Sequence, residues 1–444
     1  MLRSALTIAV ALGLALVVGS PAVAAPPWYS DGPSRRILFD DSWLYRADPG
    51  DTGLTDGWAA QPDIEGWTPV SVPNAWNAGD DSDPSMVGGV SWYRRDFVVP
   101  DVPVAAQWIV RFESVNYRAT VFLNGVQIGT HEGASIPFEL LLPNLQPGVV
   151  NHLVVRVDSR RGPNDLPPGP RGGWWNYGGI LREVYLRPVT GLDIASLTTT
   201  TIGTNQLLVR ATLANLDGGL RRAAVKLNVA GQRFQLGSVA VSPHARRSVS
   251  KRVRIPHARL WAPRAPALYK VTATATTRGQ PPASYSVHTG LRTIGIRRGQ
   301  MTINGLAAHL RGAALHEQTL TEGAALTPAD HARQIAALEN LGATVVRAHY
   351  PLSEDFLERA DRAGIAVWEE IPFYQVSESA MRNPAVRQKG LLYLAAAIRR
   401  DQNHPSVIAW SIGNELPASP GWGQAAYIRE AAGLAHRLDP TRPV

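Results

Sequence analysis

The chain of 444 residues is longer than a single hydrophobic core usually supports, so several domains are expected. Its 45% apolar and 18% charged residues are those of a folded globular protein, and the absence of cysteine removes disulfides, thiolate metal sites and a cysteine nucleophile. The formal charge of +8 does not describe a nucleic-acid surface: only four of the 44 basic residues are lysines, the arginines are interspersed with acids, and no zinc-finger or RNA-recognition motif occurs.

The N-terminus carries Arg3, an apolar run from Ala5 to Val18, then Pro21 and the small-residue pattern Ala22-Val23-Ala24. That is the order of a secretory signal, and the run falls short of the ~20 residues of a membrane span. Cleavage after Ala24 (segment 1–24) and an exported mature protein without a membrane anchor are therefore expected.

From about Trp28 to Pro188 short apolar–polar alternations are broken by Gly, Pro and Asn. Residues 91–100, 107–115, 119–133 and 151–159 read as strands, and Asn124-Gly125 between apolar runs is a strong hairpin signal. The pattern predicts a β-sandwich over 28–188. A second all-β pattern over 189–289, with roughly seven strands in about a hundred residues, fits an immunoglobulin-like sandwich.

The pattern changes at about Leu291, and residues 290–444 alternate strands with helices. Segment 307–315 reads as a strand, and 327–342 as a helix with Thr327 as N-cap, Pro328 at its first position and Gly342 as its stop. Strand 343–349, helix 353–364, strand 365–372, a long helix over 386–400, strand 406–412 and helix 423–438 follow. The strands are apolar on both faces, which predicts a parallel sheet of βα units. No glycine-rich phosphate loop follows the first strand, which disfavours a nucleotide-binding fold.

In a (β/α)₈ barrel the chemistry gathers where strands end. His316 and Glu317 follow the first strand, Arg347 and His349 the second, Glu369 and Glu370 the third, Asn414 and Glu415 the fourth. In "IAWSIGNELP" (408–417) an apolar run turns at Gly413 and then presents an amide beside a carboxylate. Cleaving a glycosidic bond needs one carboxyl group to protonate the leaving oxygen and a second carboxylate across the sugar ring. An acid shielded at a strand end has a raised pKa and can hold that proton, which is expected of Glu415; the plainer reading is an acid favouring a helix N-terminus. One of Glu369 and Glu370 is expected to face the barrel and the other solvent or a helix. His316, His349 and Glu370 match no metal-ligand spacing, and neither metal nor cofactor is expected. Trp174, Trp175 and Tyr177 can either stack on a sugar or pack the junction of sandwich and barrel.

The segments "RRDQNHPSVIAWSIGNELP", "HRLDPTRPV", "LRGAALHE", "VVRAHYP", "WYRRDF" and "NYGGILREVYL" together resemble glycoside hydrolase family 2, which includes β-galactosidases, β-glucuronidases and β-mannosidases. The resemblance covers nearly all of the mature chain. It implies a sugar-binding jelly roll, an immunoglobulin-like domain and a (β/α)₈ catalytic barrel that retains anomeric configuration. Position by position it implies Glu415 as acid/base, Asn414 as a sugar-binding amide, and His316, His349 and Glu370 as further active-site residues. One residue instead of two separates Arg347 from His349, so Arg347, a candidate substrate contact, is also expected to be able to point elsewhere. Gly173 stands where galactosidases and glucuronidases carry a sugar-contacting aspartate. The family's nucleophile follows the seventh barrel strand, whereas about 155 residues follow Leu291 against ~250 in a complete barrel. The chain is therefore expected to be the first half of such a barrel, with an exposed sheet edge and a nucleophile beyond Val444.

The reading is a secreted retaining exo-β-glycosidase acting on a β-galactoside or β-glucuronide. The alternatives are a non-catalytic carbohydrate-binding protein, an inactive truncated glycosidase, or a barrel enzyme that uses a metal.

Overall fold

The computed structural model describes residues 26–99, 106–145, 147–170 and 172–444; the signal read over 1–24 lies outside them. No helix among the described residues is long and apolar enough to cross a membrane.

The first unit is a sandwich of a six-stranded and a four-stranded antiparallel sheet. Strands Val90–Val98 and Val150–Asp158 form its centre, pairing along their whole length. The inner faces bury Trp43, Tyr93, Phe112 and Val155 in one core. Asn124 (φ 50°) and Gly125 (φ 82°) are both left-handed, the two-residue turn whose twist matches antiparallel strands, and Leu123 pairs with Val126 across it.

The second unit packs the strands Leu192–Ile202, Gln206–Asn215 and Arg246–Arg254 against a sheet containing Arg221–Val229, Gln232–Val241, Tyr269–Thr277 and Ala283–Thr289. Alternate residues of Arg221–Val229 point inward, so Ala223, Val225, Leu227 and Val229 are buried between exposed neighbours. The short strand Gly32–Pro33 joins the edge of this sheet through Ser286 and Tyr285, which ties the start of the described chain to the second sandwich.

The third unit has four parallel strands in sequence order: Gly312–Ala314, Val345–Arg347, Ala366–Glu370 and Val407–Ser411. The helices that return the chain are Pro328–Asn340, Glu354–Ala363, Pro384–Asp401 and Trp422–Leu438. Thr327 caps the first in a reciprocal capping box with Asp330, and Ser353 caps the second.

The strand expected over 307–315 divides in two. Asn304 (φ 54°) and Gly305 (φ 80°) turn the chain back, Leu306–Ala307 pairs with Thr302 and Ile303, and only Gly312–Ala314 enters the parallel sheet. This small antiparallel sheet contributes Ile303 to a cluster with Trp261, and with Ala366 and Ile408 at the starts of the third and fourth strands. The open edge expected beside the fourth strand is partly covered. The Trp410 N–H donates to Pro443 O (3.0 Å), and Arg442 donates to Val407 O (2.7 Å) while lying over the Trp410 ring.

Helix Glu354–Ala363 stops at Gly364, whose φ of 67° favours glycine, and a Cβ there would lie 2.8 Å from the Arg264 nitrogen of the second sandwich. Gly364→Ala is expected to lose at least about 1–2 kcal/mol from the left-handed backbone alone, read as a lower urea midpoint with unchanged slope.

Candidate active site

The exits of the four barrel strands converge on Glu370. Period-two alternation sends the adjacent acids of the third strand to opposite sides. Glu370, 1% exposed, faces the mouth, and Glu369 is buried on the other side near Asp401, at the end of helix Pro384–Asp401. Burial and then the Asp401 charge push the Glu369 carboxyl well up, and neither of its oxygens has a hydrogen-bond donor among the described residues. Of the two alternatives left open for it, solvent or a helix, it takes the helix.

The Glu370 carboxylate is held from the second strand, the segment just after it and the fourth strand. Arg347 Nη2 donates to it at 2.6 Å and Arg347 Nε at 3.2 Å, His349 Nδ1 lies at 2.7 Å, and Ser411 Oγ donates at 2.7 Å. The same Arg347 Nη2 donates to Asn414 Oδ1 (2.6 Å). Arg347 therefore points into the mouth. It ends a strand, and with one intervening residue it and His349 extend to the same side, leaving Ala348 buried.

Asn414 spends its side-chain oxygen on Arg347, which turns its amide nitrogen to the mouth. Its backbone is fixed by the loop after the third strand: Asn414 N–H donates to Phe373 O (3.1 Å) and Gln375 N–H to Asn414 O (3.0 Å). The sharp bend of "SIGNE" lies at Glu415, with φ 50°, and Gly413 is not left-handed. A side chain at Gly413 would meet Phe373 O at 3.2 Å, so glycine serves close approach there. A left-handed glutamate costs on the order of 1–3 kcal/mol and persists where its surroundings hold it.

Glu415 is exposed, and Gln375 Nε2 donates to its Oε2 at 2.6 Å. That hydrogen bond, followed by one from Tyr374, holds its pKa below the ordinary glutamate value. The raised pKa expected of a shielded acid is not present, because the carboxylate is solvated and receives donors that favour its charged form.

His316 is half-buried; burial, then the neighbouring His349, lowers its pKa, and its Nδ1 has no partner. Glu317 is not a mouth residue. It pairs with Arg182 of the first sandwich (2.7 Å) and accepts from Ser353 N–H (2.9 Å). Burial pushes its pKa up, but Arg182, His331 and that N–H outweigh it, and the net shift is downward.

The aromatic turn of the first sandwich reaches this mouth. The Trp174 ring is parallel to His349 (6.0 Å, 9°) and contacts His316, Tyr350 and Tyr374, so it both lines the mouth and packs the junction. Trp175 and Tyr177 line a cleft at that junction. Gly173 has φ 70°, and a Cβ on it would lie 2.7 Å from the Tyr374 ring, so this backbone has no room for an aspartate.

Ser411, Tyr374 and Gln375 were not singled out from the sequence. Ser411 has a signal there, a hydroxyl closing an apolar strand two residues before Gly413; the other two lie in a loop with none. Among the described residues one cluster of three ligand-type side chains is close enough for a cation: Glu354, Asp401 and His404. Arg400 lies against Asp401 (2.5 Å), and His404 gives both ring nitrogens to acids, Asp361 (2.7 Å) and Glu354 (3.0 Å). Those carboxylates hold its pKa well above the usual value against the opposing effect of burial, so the ring is an imidazolium with no lone pair for a metal.

The two domain models of glycosyl hydrolases family 2 match the chain: the sugar binding domain over residues 38–189 and the TIM barrel domain over 294–444. The chain belongs to glycosyl hydrolases family 2. It is 27% identical over 397 residues to a putative beta-glucuronidase of Formosa agariphila, covering 85% of this chain and 47% of that protein. It is 29% identical over 436 residues to the beta-glucuronidase of Paenibacillus borealis, covering 90% and 71%. Among solved structures it is similar to a GH2 beta-galacturonidase from Eisenbergiella tayi bound to galacturonate, with a TM-score of 0.82, 25% identity, and coverage of 93% of this chain and 72% of that one. The chain thus spans about half of the first of these relatives and under three quarters of the others.

Two outcomes check this geometry. Gln375→Leu removes the main donor to the Glu415 carboxylate, so the Glu415 pKa should rise toward the ordinary value, read by carbon-13 NMR titration of the carboxyl. Glu370→Gln leaves Arg347 and His349 without their shared anion; turnover should fall by about 10²-fold or more, with a lowered melting temperature.

Proposed function

We propose that this protein acts in an exo-β-glycosidase that removes a terminal β-linked uronic acid with retention of configuration. The observation that carries the reading is Glu415: an open carboxylate at the mouth, beside an Asn414 amide oriented by Arg347 and a wall formed by Trp174, His316 and His349. In this role Asn414 Nδ2 donates to a ring hydroxyl, His316 and His349 contact the sugar, and Glu415 gives its proton to the departing glycosidic oxygen. Glu415 then recovers that proton from the water that releases the sugar.

Its lowered pKa in the unliganded site fits the second of these steps, where it acts as a base. A bound sugar would displace solvent from the carboxylate and raise its pKa for the first. Retention needs a second carboxylate about 5–5.5 Å away. Glu370 does not suit that role, because Arg347, His349 and Ser411 occupy its oxygens; it is a positioning residue. The nucleophile must come from outside these four βα units.

The uronic acid preference is supported by the relatives, which are named as a beta-glucuronidase or a beta-galacturonidase. Gly173 leaves hydroxyl recognition on the sandwich side to Trp174. Export is proposed from the leader pattern over 1–24 and would be read from the N-terminal sequence of the secreted protein.

The deciding experiment is Glu415→Gln in the protein as its host makes it, assayed on β-glucuronides and β-galacturonides of graded leaving groups. Loss of about 10²–10⁴-fold is expected on alkyl uronides and much less on dinitrophenyl uronides. Equal losses on both would remove the acid role, and binding of uronides without turnover by the unmodified protein would favour a carbohydrate-binding protein.

A further inference from the structure

A narrow cleft of about 50 Å³ lies between the first sandwich and the barrel. It shares Trp174 with the active site, and its walls include Tyr117, Arg161, Trp175 and Arg182 of the sandwich and Tyr350 and Tyr393 of the barrel. Three of these residues carry a buried N–H with no acceptor among the described residues: Arg161 Nε, Trp175 Nε1 and Arg182 Nη1. Buried donors in folded proteins are nearly always satisfied, so three in the walls of one cleft call for an occupant.

The charge balance says what kind. Arg161 is 7% exposed, and among the described residues its one hydrogen bond is a long contact from Nη2 to Pro170 O at 3.5 Å. Among the described residues no carboxylate lies within ion-pair distance of it. The neighbouring acid is Asp165, and both of its oxygens are taken, by Arg118 (2.5 Å) and the Gly162 N–H (2.7 Å) on one side and Lys389 (2.9 Å) on the other. Glu132 is likewise engaged by Lys389 (2.5 Å) and Arg118 (3.5 Å). Three cations therefore share two acids, and the surplus charge rests on the buried Arg161. Burial lowers the Arg161 pKa to about 10, which leaves it charged at neutral pH. A buried cation without an anion is costly, and the cost is relieved by a bound oxyanion. Arg182 is different: Glu317 neutralises it through Nη2, and its Nη1 remains as a neutral-site donor.

We propose that this cleft is an oxyanion subsite, in which Arg161 supplies the charge and Trp175 and Arg182 supply hydrogen bonds to a carboxylate or sulfate ester on a second residue of the glycan whose terminal sugar sits at Glu415. The proposal rests on the glycosidase reading for the glycan and on Trp174, common to both pockets, for the continuity. The substrate class it implies is an acidic oligosaccharide with anionic groups on neighbouring sugars.

The test is calorimetric titration at low ionic strength with sodium acetate and with sodium sulfate, followed by kinetics on uronyl disaccharides whose reducing-end sugar is neutral, carboxylated or sulfated. Wild-type protein should bind at least one of the two anions, and the anion bound names the group. Arg161→Gln should weaken that binding at least about tenfold, and Trp175→Phe, which keeps the ring packing, should weaken it less. Glu415→Gln should leave it unchanged. Arg161→Gln should also raise KM for the matching acidic disaccharide while kcat, and both constants for an aryl uronide, stay as they were. If Arg161→Gln does not fold, the Trp175→Phe shift decides. Failure of wild-type protein to bind either anion at millimolar concentration, or equal binding by the variants, overturns the subsite and leaves a water-filled cleft. Anion binding without any disaccharide preference overturns its assignment to the glycan. Anion binding that depends on Arg161 in a protein whose Glu415→Gln variant hydrolyses uronides unimpaired leaves the subsite standing and removes the acid role instead.

Discussion

A single buried carboxylate organises the mouth of this barrel. Glu370 has almost no contact with solvent, and its charge is sustained by donors from the second strand (Arg347), the segment just after it (His349) and the fourth strand (Ser411). An isolated carboxylate in such a place would take up a proton; one that accepts four hydrogen bonds keeps its charge and fixes its donors. Because Arg347 bridges Glu370 to Asn414, the orientation of the amide beside Glu415 follows from the same anion. Neutralising Glu370 would release several side chains at once.

The site is also a product of the junction between units. Trp174 arrives from the first sandwich, and the contacts between sandwich and barrel include the Arg182–Glu317 pair, reinforced by Arg182 donating to Pro351 O (2.7 Å), and the Lys389–Asp165 pair (2.9 Å). The second sandwich is anchored through Trp261, whose indole N–H donates to Asp361 O (2.9 Å), while the Asp361 side chain holds the imidazolium of His404. Pairs of this kind contribute little net stability, since desolvation offsets attraction, but losing one partner leaves a bare buried charge. They specify how the domains meet. Arg161 is the exception: among the described residues no carboxylate lies within ion-pair distance of it.

Glu415 and Gln375 face each other across the mouth, and both are left-handed non-glycine residues, with φ of 50° and 53°. Two such residues joined by one hydrogen bond hold the carboxylate clear of the sheet, at a conformational cost met by the loop contacts between Phe373, Asn414 and Gln375. The proposed acid/base role accounts for glutamate rather than glycine at that bend.

Much of this was legible in the sequence, and for definite reasons. Thr327, Ser353 and Gly364 marked helix ends because caps act on backbone groups within a few residues. Asn124-Gly125 marked a hairpin because both positions need a left-handed backbone, and Asn304-Gly305 carries the same signal, masked by the longer apolar run that follows it. The positions that carry Glu415, Asn414, Glu370, His349 and His316 were visible as polar residues recurring at strand exits. Arg347 was visible too, but its direction was not, since one intervening residue decides a side only once the strand's end is known. What the sequence could not contain is any quantity set by distant residues. The acidity of Glu415 depends on Gln375 and Tyr374 in another loop, the separation of Glu369 from Glu370 on what packs each face of the sheet, and the place of Trp174 on how two domains dock. The sequence by itself determined local conformation and the types of group available; only the tertiary structure decided their environments, because burial, hydrogen-bond partners and net charge are properties of space and not of order along the chain.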